Sequence, residues 1–306
     1  MTSALSASPK SREPAGSTRR RTPQRAGTAP QEGRARSTRI VLGLLAVYSL
    51  FPLVWLFISA GKPTTDLISG DNLSLTHFQY WTNITDLFTY DGGIFLRWVA
   101  NTLLYAGVGA LASVLMSAAA GFALSKYSFP GKRWVGNAIL AGVMVPTSAL
   151  VLPIYLMLGS LHLTNTFWGV FAASLAHPFG VYLCRVFADA SVPDEVLEAA
   201  RVDGSSEWKL FWRVSLPMMR DGLITVALLQ FVAIWNNYFL PLVLLNDKDL
   251  YPVTLGLANL NLLSRQTPDQ YRLVLVGALV ATVPLILAFV FLQRYWRSGM
   301  TSGAVK

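Results

Sequence analysis

The residues able to do chemistry in this chain are few and scattered. Glu198 and Asp203 stand in the stretch EAARVDG, residues 198–204, inside a charged segment, residues 189–221, that reads DASVPDEVLEAARVDGSSEWKLFWRVSLPMMRD. Two carboxylates can divide acid and base work. Here, however, they alternate at helical spacing with the small residues Ala199 and Ala200, which suits a contact surface better than a catalytic pair. The three histidines, His77, His162 and His177, are widely separated, and none belongs to an HExxH metal motif. His177, next to Pro178 in an apolar run, reads as a hydrogen-bonded helix residue. The single cysteine, Cys184, excludes an internal disulfide. Gly131-Lys132 lacks the earlier glycine and the following Ser or Thr of a phosphate loop. The expectation is therefore no catalytic residue, no metal and no bound cofactor. Asn236 and Asn237 interrupt an apolar run; they are candidate pathway residues, with interhelical hydrogen bonding as the plainer role.

The elements that must position these residues follow from composition. Of 306 residues, 53% are hydrophobic and only 13% charged, far from the balance of a soluble domain. A membrane-spanning helix needs about 20 mostly apolar residues. Six segments meet that standard: residues 40–60, 98–124, 134–160, 167–187, 223–245 and 273–293. The expected fold is an all-α integral membrane protein of six spans. Basic residues follow the second span (Lys126, Lys132, Arg133), the fourth (Arg201, Lys209, Arg213, Arg220) and the sixth (Arg294, Arg297, Lys306). By the positive-inside rule these connections and both termini are cytoplasmic, while residues 61–97, a turn near His162 and residues 247–269 form loops on the other side.

Three domains are expected. Residues 1–39 form a disordered basic cytoplasmic tail, residues 40–297 the membrane domain and residues 298–306 a cytoplasmic C-terminal tail. The first tail is rich in Arg, Pro, Ser and Gly, a composition too poor in apolar residues to offset ordering entropy. An arginine cluster just before a span sets topology or touches anionic lipid, so no nucleic-acid role is read into it. Within the spans, Ser113, Ser117 and Gly121 recur every four residues and mark a close interhelical seam. Pro146, Pro153, Pro178, Pro241 and Pro284 each remove a backbone donor and are expected to kink or break their helices.

The charged segment 189–221 is too costly for hydrocarbon and must lie outside it. Pro193 suits the first turn of a helix, Asp194 and Glu195 favour its positive end, and Val196, Ala199 and Ala200 make a small apolar stripe. Gly204 can take positive φ after that helix, and Ser205 or Ser206 can cap a second one, in which Trp208, Phe211 and Trp212 share a face beside Val214. The expected object is a helix, a glycine turn and a second helix between spans four and five.

Glu198, Ala199, Ala200, Asp203, Gly204, Phe211, Leu216 and Pro217, at these spacings, resemble the EAA signature of importer permeases of the ATP-binding cassette class. Asp221 departs from the family's usual proline four residues after the Leu-Pro pair, which bears on how the loop exits. The resemblance implies a coupling helix that docks into a cleft on a separate ATPase. Glu198 would then make a polar contact, Ala199 and Ala200 would allow close approach, and Asp203 with Gly204 would form the turn. WNNYFLPLVLL, residues 235–245, and the C-terminal SGMTSGAVK are similar to carbohydrate-importer permeases like the MalG component of the maltose system, with Asn237 where glutamate is frequent. The implied partners are a second, MalF-like permease, a cytoplasmic ATPase dimer that binds the ATP, an extracytoplasmic solute-binding protein, a sugar and membrane lipid. The implied location is the bacterial inner membrane. A polytopic enzyme acting on lipid-linked substrates, a self-sufficient channel or secondary transporter, and a permease for a non-sugar solute are the alternatives. An enzyme would need clustered acids, bases or ligands near a membrane face, and a secondary transporter would need charges within its spans or an internal repeat.

Overall fold

The computed structural model describes residues 31–70 and 73–301, with side chains described in 38–70 and 73–291. Most of the expected basic tail, and the end of the expected C-terminal tail from residue 302, lie outside the described residues. Among the described residues every regular element is helical. That is the structural answer of an apolar chain that must satisfy its own backbone donors and acceptors in lipid.

The chain divides into two units, Met1–Phe51 and Pro52–Lys306. Helix α1, Gln31–Ala60, begins ahead of the expected start at Ile40 and carries Pro52 inside it. In the second unit, α2 (Thr64–Ser69) and α3 (Tyr80–Thr89) precede α4 (Ile94–Leu103), which runs through a π-helical turn, Leu104–Val108, into α5 (Gly109–Lys126). Next come α6 (Lys132–Met144), α7 (Thr147–Ser160), α8 (Phe167–Leu175) and α9 (Pro178–Ser191). The charged segment holds α10 (Asp194–Val202), α11 (Glu207–Lys209) and α12 (Leu216–Met218). Beyond it lie α13 (Arg220–Trp235), α14 (Phe239–Leu244), α15 (Val253–Leu263) and α16 (Asp269–Thr301).

Three helical stretches are long and apolar enough to cross a membrane alone: residues within α1, the run Tyr80–Lys126, and the first part of α16. Three bent pairs raise the number to six if each counts as one span. Prolines explain two of the bends. Pro146 forces Val145 out of helical geometry, and α6 and α7 meet at 109°. Pro178 opens α9 after a non-helical His177, at 41° to α8. Pro153 and Pro284, by contrast, sit inside α7 and α16 without breaking them, so of the two expected outcomes, a kink or a break, the break does not occur there. The fifth expected span also differs: α13 stops at Trp235, and Asn236 to Tyr238 separate it from α14.

The seam is real. Ser113, Ser117 and Gly121 are buried, and a Cβ on Gly121 would stand 2.6 Å from the Arg185 amide nitrogen and 2.7 Å from Cys184 Cβ. Only glycine lets α5 and α9 approach this closely. Ser113 donates to the Leu175 carbonyl at 3.1 Å, and buried Gln230 donates to Ser174 O at 2.9 Å, tying α5 and α13 to the end of α8.

Residues 61–97, expected as a loop, are a folded cap at the start of α4. Lys62 is fully buried and donates to Ser74 Oγ and Thr76 O, both at 2.5 Å. Buried Asn83 donates to Ala60 O at 2.8 Å and accepts from Arg272 at 2.6 Å, whose other nitrogen reaches Asp86 at 2.8 Å. Such partners are what a buried cation requires. On α4, Trp98 and Asn101 donate to the carbonyls of Lys248 and Asp249, each at 2.8 Å.

Candidate docking hairpin

At the other end of α4 and α5 the charged segment builds the expected hairpin. Pro193 is extended, and Asp194 and Glu195 fill the first turn of α10, where acidic groups face the positive helix end. The first arm closes on Gly204, at φ +79°, with Gly204 N–H donating to Arg201 O and Ser205 N–H to Ala200 O, both at 3.0 Å. These bonds satisfy carbonyls that the helix end would leave open. Ser206 caps the second arm, accepting from Lys209 N–H at 3.4 Å. That arm is α11, a π-helical turn (Leu210–Ser215) and α12; the segment Glu207–Met218 bends by 81° into α13. Asp221, at the position that departs from the signature, stands in the first turn of α13, where a carboxylate is favoured.

Packing sorts the eight expected residues into two sets. Phe211 is buried, its ring 5.6 Å from that of Phe122 on α5, and Ala200 and Leu216 pack half-buried on the same apolar cluster. These anchor the hairpin to α5, α9 and α13. Glu198, Ala199, Asp203, Gly204 and Pro217 face outward. Neither Glu198 nor Asp203 has a side-chain partner among the described residues, so both carboxylates are free to meet something else.

The apolar stripe of Val196, Ala199 and Ala200 lies largely outward, with Val196 and Ala199 exposed and Ala200 half-buried, while the buried anchor of α10 is Leu197, which the sequence pattern did not single out. Of Trp208, Phe211, Trp212 and Val214, only Phe211 is fully buried; Trp208 stays 70% exposed, because the π turn rotates the residues around it out of plain 3.6-residue register. Val202, an aliphatic side chain 88% exposed beside the turn, escaped notice in the sequence. Its signal was its place, two residues ahead of Gly204 on a helix only nine residues long.

Polar contacts lock the hairpin to α5. Lys126 donates to Asp194 at 2.8 Å, and Tyr127 donates to Glu207 Oε2 at 2.5 Å, while Arg201 Nε meets Glu207 Oε1 at 2.8 Å. The hydrogen bond from Arg201, then that from Tyr127, holds the Glu207 carboxyl below its ordinary range, and Lys126 does the same for Asp194. Burial first, and Glu207 second, push the Tyr127 phenol up to about 12. Asp194, Glu207 and Tyr127 are each matched to a partner and each shifted away from neutrality, an arrangement for holding shape and not for proton transfer.

The remaining candidates lie elsewhere. Asn236 and Asn237 occupy the break between α13 and α14. Asn236 donates back to Val232 O at 2.9 Å and the Asn237 side chain accepts from Leu240 N–H at 3.4 Å, so both bond within their own segment, and only the Asn237 carbonyl takes an interhelical bond, from Thr254 at 2.9 Å. His177, expected to be hydrogen-bonded, has a buried Nδ1 with no partner among the described residues; its ring packs where Gly180 lacks a side chain. His77 lies near Asp66, 3.6 Å away, and His162 sits in the turn after α7. Among the described residues no three His, Cys, Asp or Glu side chains converge as a metal set.

Comparison with known proteins agrees with this geometry. The arabinooligosaccharide transport system permease protein AraQ of Halalkalibacterium halodurans is 32% identical over 87% of this chain and 95% of its own length. The lactose transport system permease protein LacG of Rhizobium radiobacter is 32% identical over 87% and 94%. A bacterial ABC transporter involved in the import of the acidic polysaccharide alginate superposes with a TM-score of 0.76 at 22% identity, covering 88% of this chain and 99% of that one, which establishes a shared fold. Residues 109–302, most of the chain and all of the hairpin, match the family described as the binding-protein-dependent transport system inner membrane component, and the chain belongs to that family.

Proposed function

We propose that this chain is a non-catalytic permease subunit of an ATP-driven importer for a sugar or oligosaccharide, forming half of the translocation pathway. ATP is bound and hydrolysed by a cytoplasmic ATPase dimer. A second permease completes the pathway, and an extracytoplasmic binding protein delivers the cargo. The hairpin is the docking element, the spans alternate between inward- and outward-facing arrangements as the ATPases open and close, and both termini are cytoplasmic. Membership of the family supports the permease role, and the sugars in the names of the similar proteins support the cargo class.

The observation that carries the docking role is the outward face of α10. It presents two carboxylates without partners among the described residues, Glu198 and Asp203, beside small Ala199 and bare Val202, on a hairpin anchored through Leu197 of its first arm and Phe211 of its second. A protein surface spends no free carboxylate and exposed aliphatic side chain on core stability. Disulfide trapping tests it in the assembled transporter, because Cys184 is fully buried and contributes no background. Ala199→Cys should cross-link to a cysteine in the cleft of the ATPase, and half-buried Ala200→Cys should not. Equal trapping of both, or of neither, refutes the docking face. Ligand binding by the co-encoded binding protein across a sugar panel tests the cargo; binding only to amino acids or peptides would overturn it.

A further inference from the structure

We infer that the cavity at the start of α6 is a site for the phosphate headgroup of an anionic phospholipid. It has a volume of about 560 Å³, in the range of built small-molecule sites. Along α6 it is lined by Lys132, Arg133, Asn137 and Leu140, with Trp134 at its rim and Arg185 of α9 across from them. Three of its lining residues are cations and none is a carboxylate. This inference does not depend on the docking role of the hairpin.

The cations are arranged as a fixed base with one free arm. Lys132 Nζ is held by the carbonyls of Ser125 at 3.2 Å and Tyr127 at 2.9 Å. The Arg185 guanidinium lies along α6 over Gly136, where a Cβ would meet its terminal nitrogen at 3.5 Å. Its Nε is 3.9 Å from Asp189 Oδ2, and the other Asp189 oxygen accepts from Ser125 at 2.5 Å, so Asp189 compensates Arg185 only loosely. Arg133 is exposed, with no ion-pair partner among the described residues.

The character of the walls selects lipid over a free anion. From Arg133 to Leu140 the lining passes from charge to amide to aliphatic over about 10 Å of helix, at 1.5 Å per residue. That gradient follows a headgroup into its acyl chains. Trp134 is 81% exposed at the charged end, the position of an interfacial tryptophan. Through Lys132, which donates to Ser125 O and Tyr127 O, the cavity is tied to the end of α5 that carries the hairpin. Basic pockets between spans at that membrane face take anionic headgroups, each cation strengthening the attraction about fivefold.

The test is native mass spectrometry of the purified full chain released from nanodiscs of phosphatidylglycerol and phosphatidylcholine. The wild type should retain phosphatidylglycerol, Arg133→Gln should retain about fivefold less, and the double variant with Arg185→Gln about twenty-five-fold less. Arg265→Gln, an exposed cation in the 247–269 connection, should retain the wild-type amount. Arg133 has no hydrogen bond or ion pair among the described residues that its loss would break, so the single variant keeps the test open if the double one misfolds. Equal retention in all variants overturns the site. Stripping of the lipid by millimolar inorganic phosphate would make it a free-anion site instead. In the assembled transporter, trapping of Trp134→Cys against the second permease with no retained lipid would make it a protein interface.

Discussion

Gly204 is where the hairpin can be perturbed with the least collateral change. Its φ is +79°, and no atom lies within 4 Å of a Cβ built there, so a substitution is strained by backbone conformation alone. Placing alanine in the left-handed region costs about 1–2 kcal/mol, and asparagine, whose side chain tolerates that region, costs less. At about 1.4 kcal/mol the closed turn becomes tenfold less populated relative to its open form. The Ser205 amide reports on it, because that amide bonds to Ala200 O only when the turn is closed. Hydrogen exchange at Ser205 should accelerate in the order Gly204, Gly204→Asn, Gly204→Ala, Gly204→Val, the alanine variant by roughly tenfold. If the turn delivers ATPase motion to the spans, the loss of transport-coupled ATP hydrolysis in the reconstituted importer follows the same order. Were side-chain bulk against the ATPase the real constraint, asparagine would be worse than alanine. That inversion, or exchange at the wild-type rate in all variants, refutes the conformational account.

Other outcomes follow from the same contacts. Gly121→Ala forces α5 from α9 and should lower stability by about 1–3 kcal/mol, whereas Gly107→Ala, with open space around its Cβ, should be neutral in thermal unfolding in detergent. Leu197→Ala should cost about 2–5 kcal/mol locally and detach α10, seen as protease cleavage within residues 194–206, with α5 and α9 still protected. Val202→Asp, at a side chain 88% exposed, should leave the isolated permease as stable as wild type yet weaken co-purification of the ATPase; unchanged co-purification counts against the docking face. The carboxyls of Glu207 and Asp194 are held below 4.5 and 3.8. Groups with depressed folded values stabilise above the unfolded pKa and lose that contribution as pH falls through the folded one. Protection of the hairpin amides, measured relative to their intrinsic exchange rate at each pH, should therefore be flat from about pH 8 to about pH 5 and fall only in stronger acid; a step near pH 6 would contradict the ion-pair assignment.

The legible parts of this fold are the local ones. Apolar runs long enough for the bilayer announce spans, and Gly204 between a charged helix and a serine announces a turn, because each property belongs to consecutive residues. Small residues every four positions announced the α5 seam, though not that Cys184 and Arg185 would fill it. Buried Lys62 was illegible, since its acceptors, Ser74 and Thr76, lie beyond a helix that a hydropathy profile passes over. Trp98 and Asn101 find carbonyls some 150 residues away, and no periodicity encodes such a pairing. The inner anchor of α10 was illegible for a different reason: over nine residues an apolar stripe of alanines and a single leucine one step away are equally good periodic fits, and only packing shows that Leu197 is the side chain turned inward.

That packing bears on how a force at the hairpin could reach the spans. Leu197, Leu210, Phe211 and Met219 share one buried cluster with Val114, Ala118 and Phe122 of α5, Cys184 and Ala188 of α9, and Val226 of α13. Close-packed side chains transmit displacement and do not absorb it. Lys126 and Tyr127 add polar ties from the end of α5 to both arms, so the hairpin has no soft joint on that side. The second arm has its own interruptions, the π turn at Leu210–Ser215 and the 81° bend into α13, but both are packed into that cluster; the interruptions outside it are the π turn at Leu104–Val108, the 109° bend at Pro146 and the gap between α13 and α14 at Asn236. A push on Ala199 would therefore move the hairpin with the near halves of α5, α9 and α13 as one body, and the pathway would change shape at those breaks. The two asparagines would then act as a hinge, since Asn236 bonds back to Val232 O and the Asn237 side chain to Leu240 N–H, bonds that each involve a single helix and need not break if the angle between α13 and α14 changes.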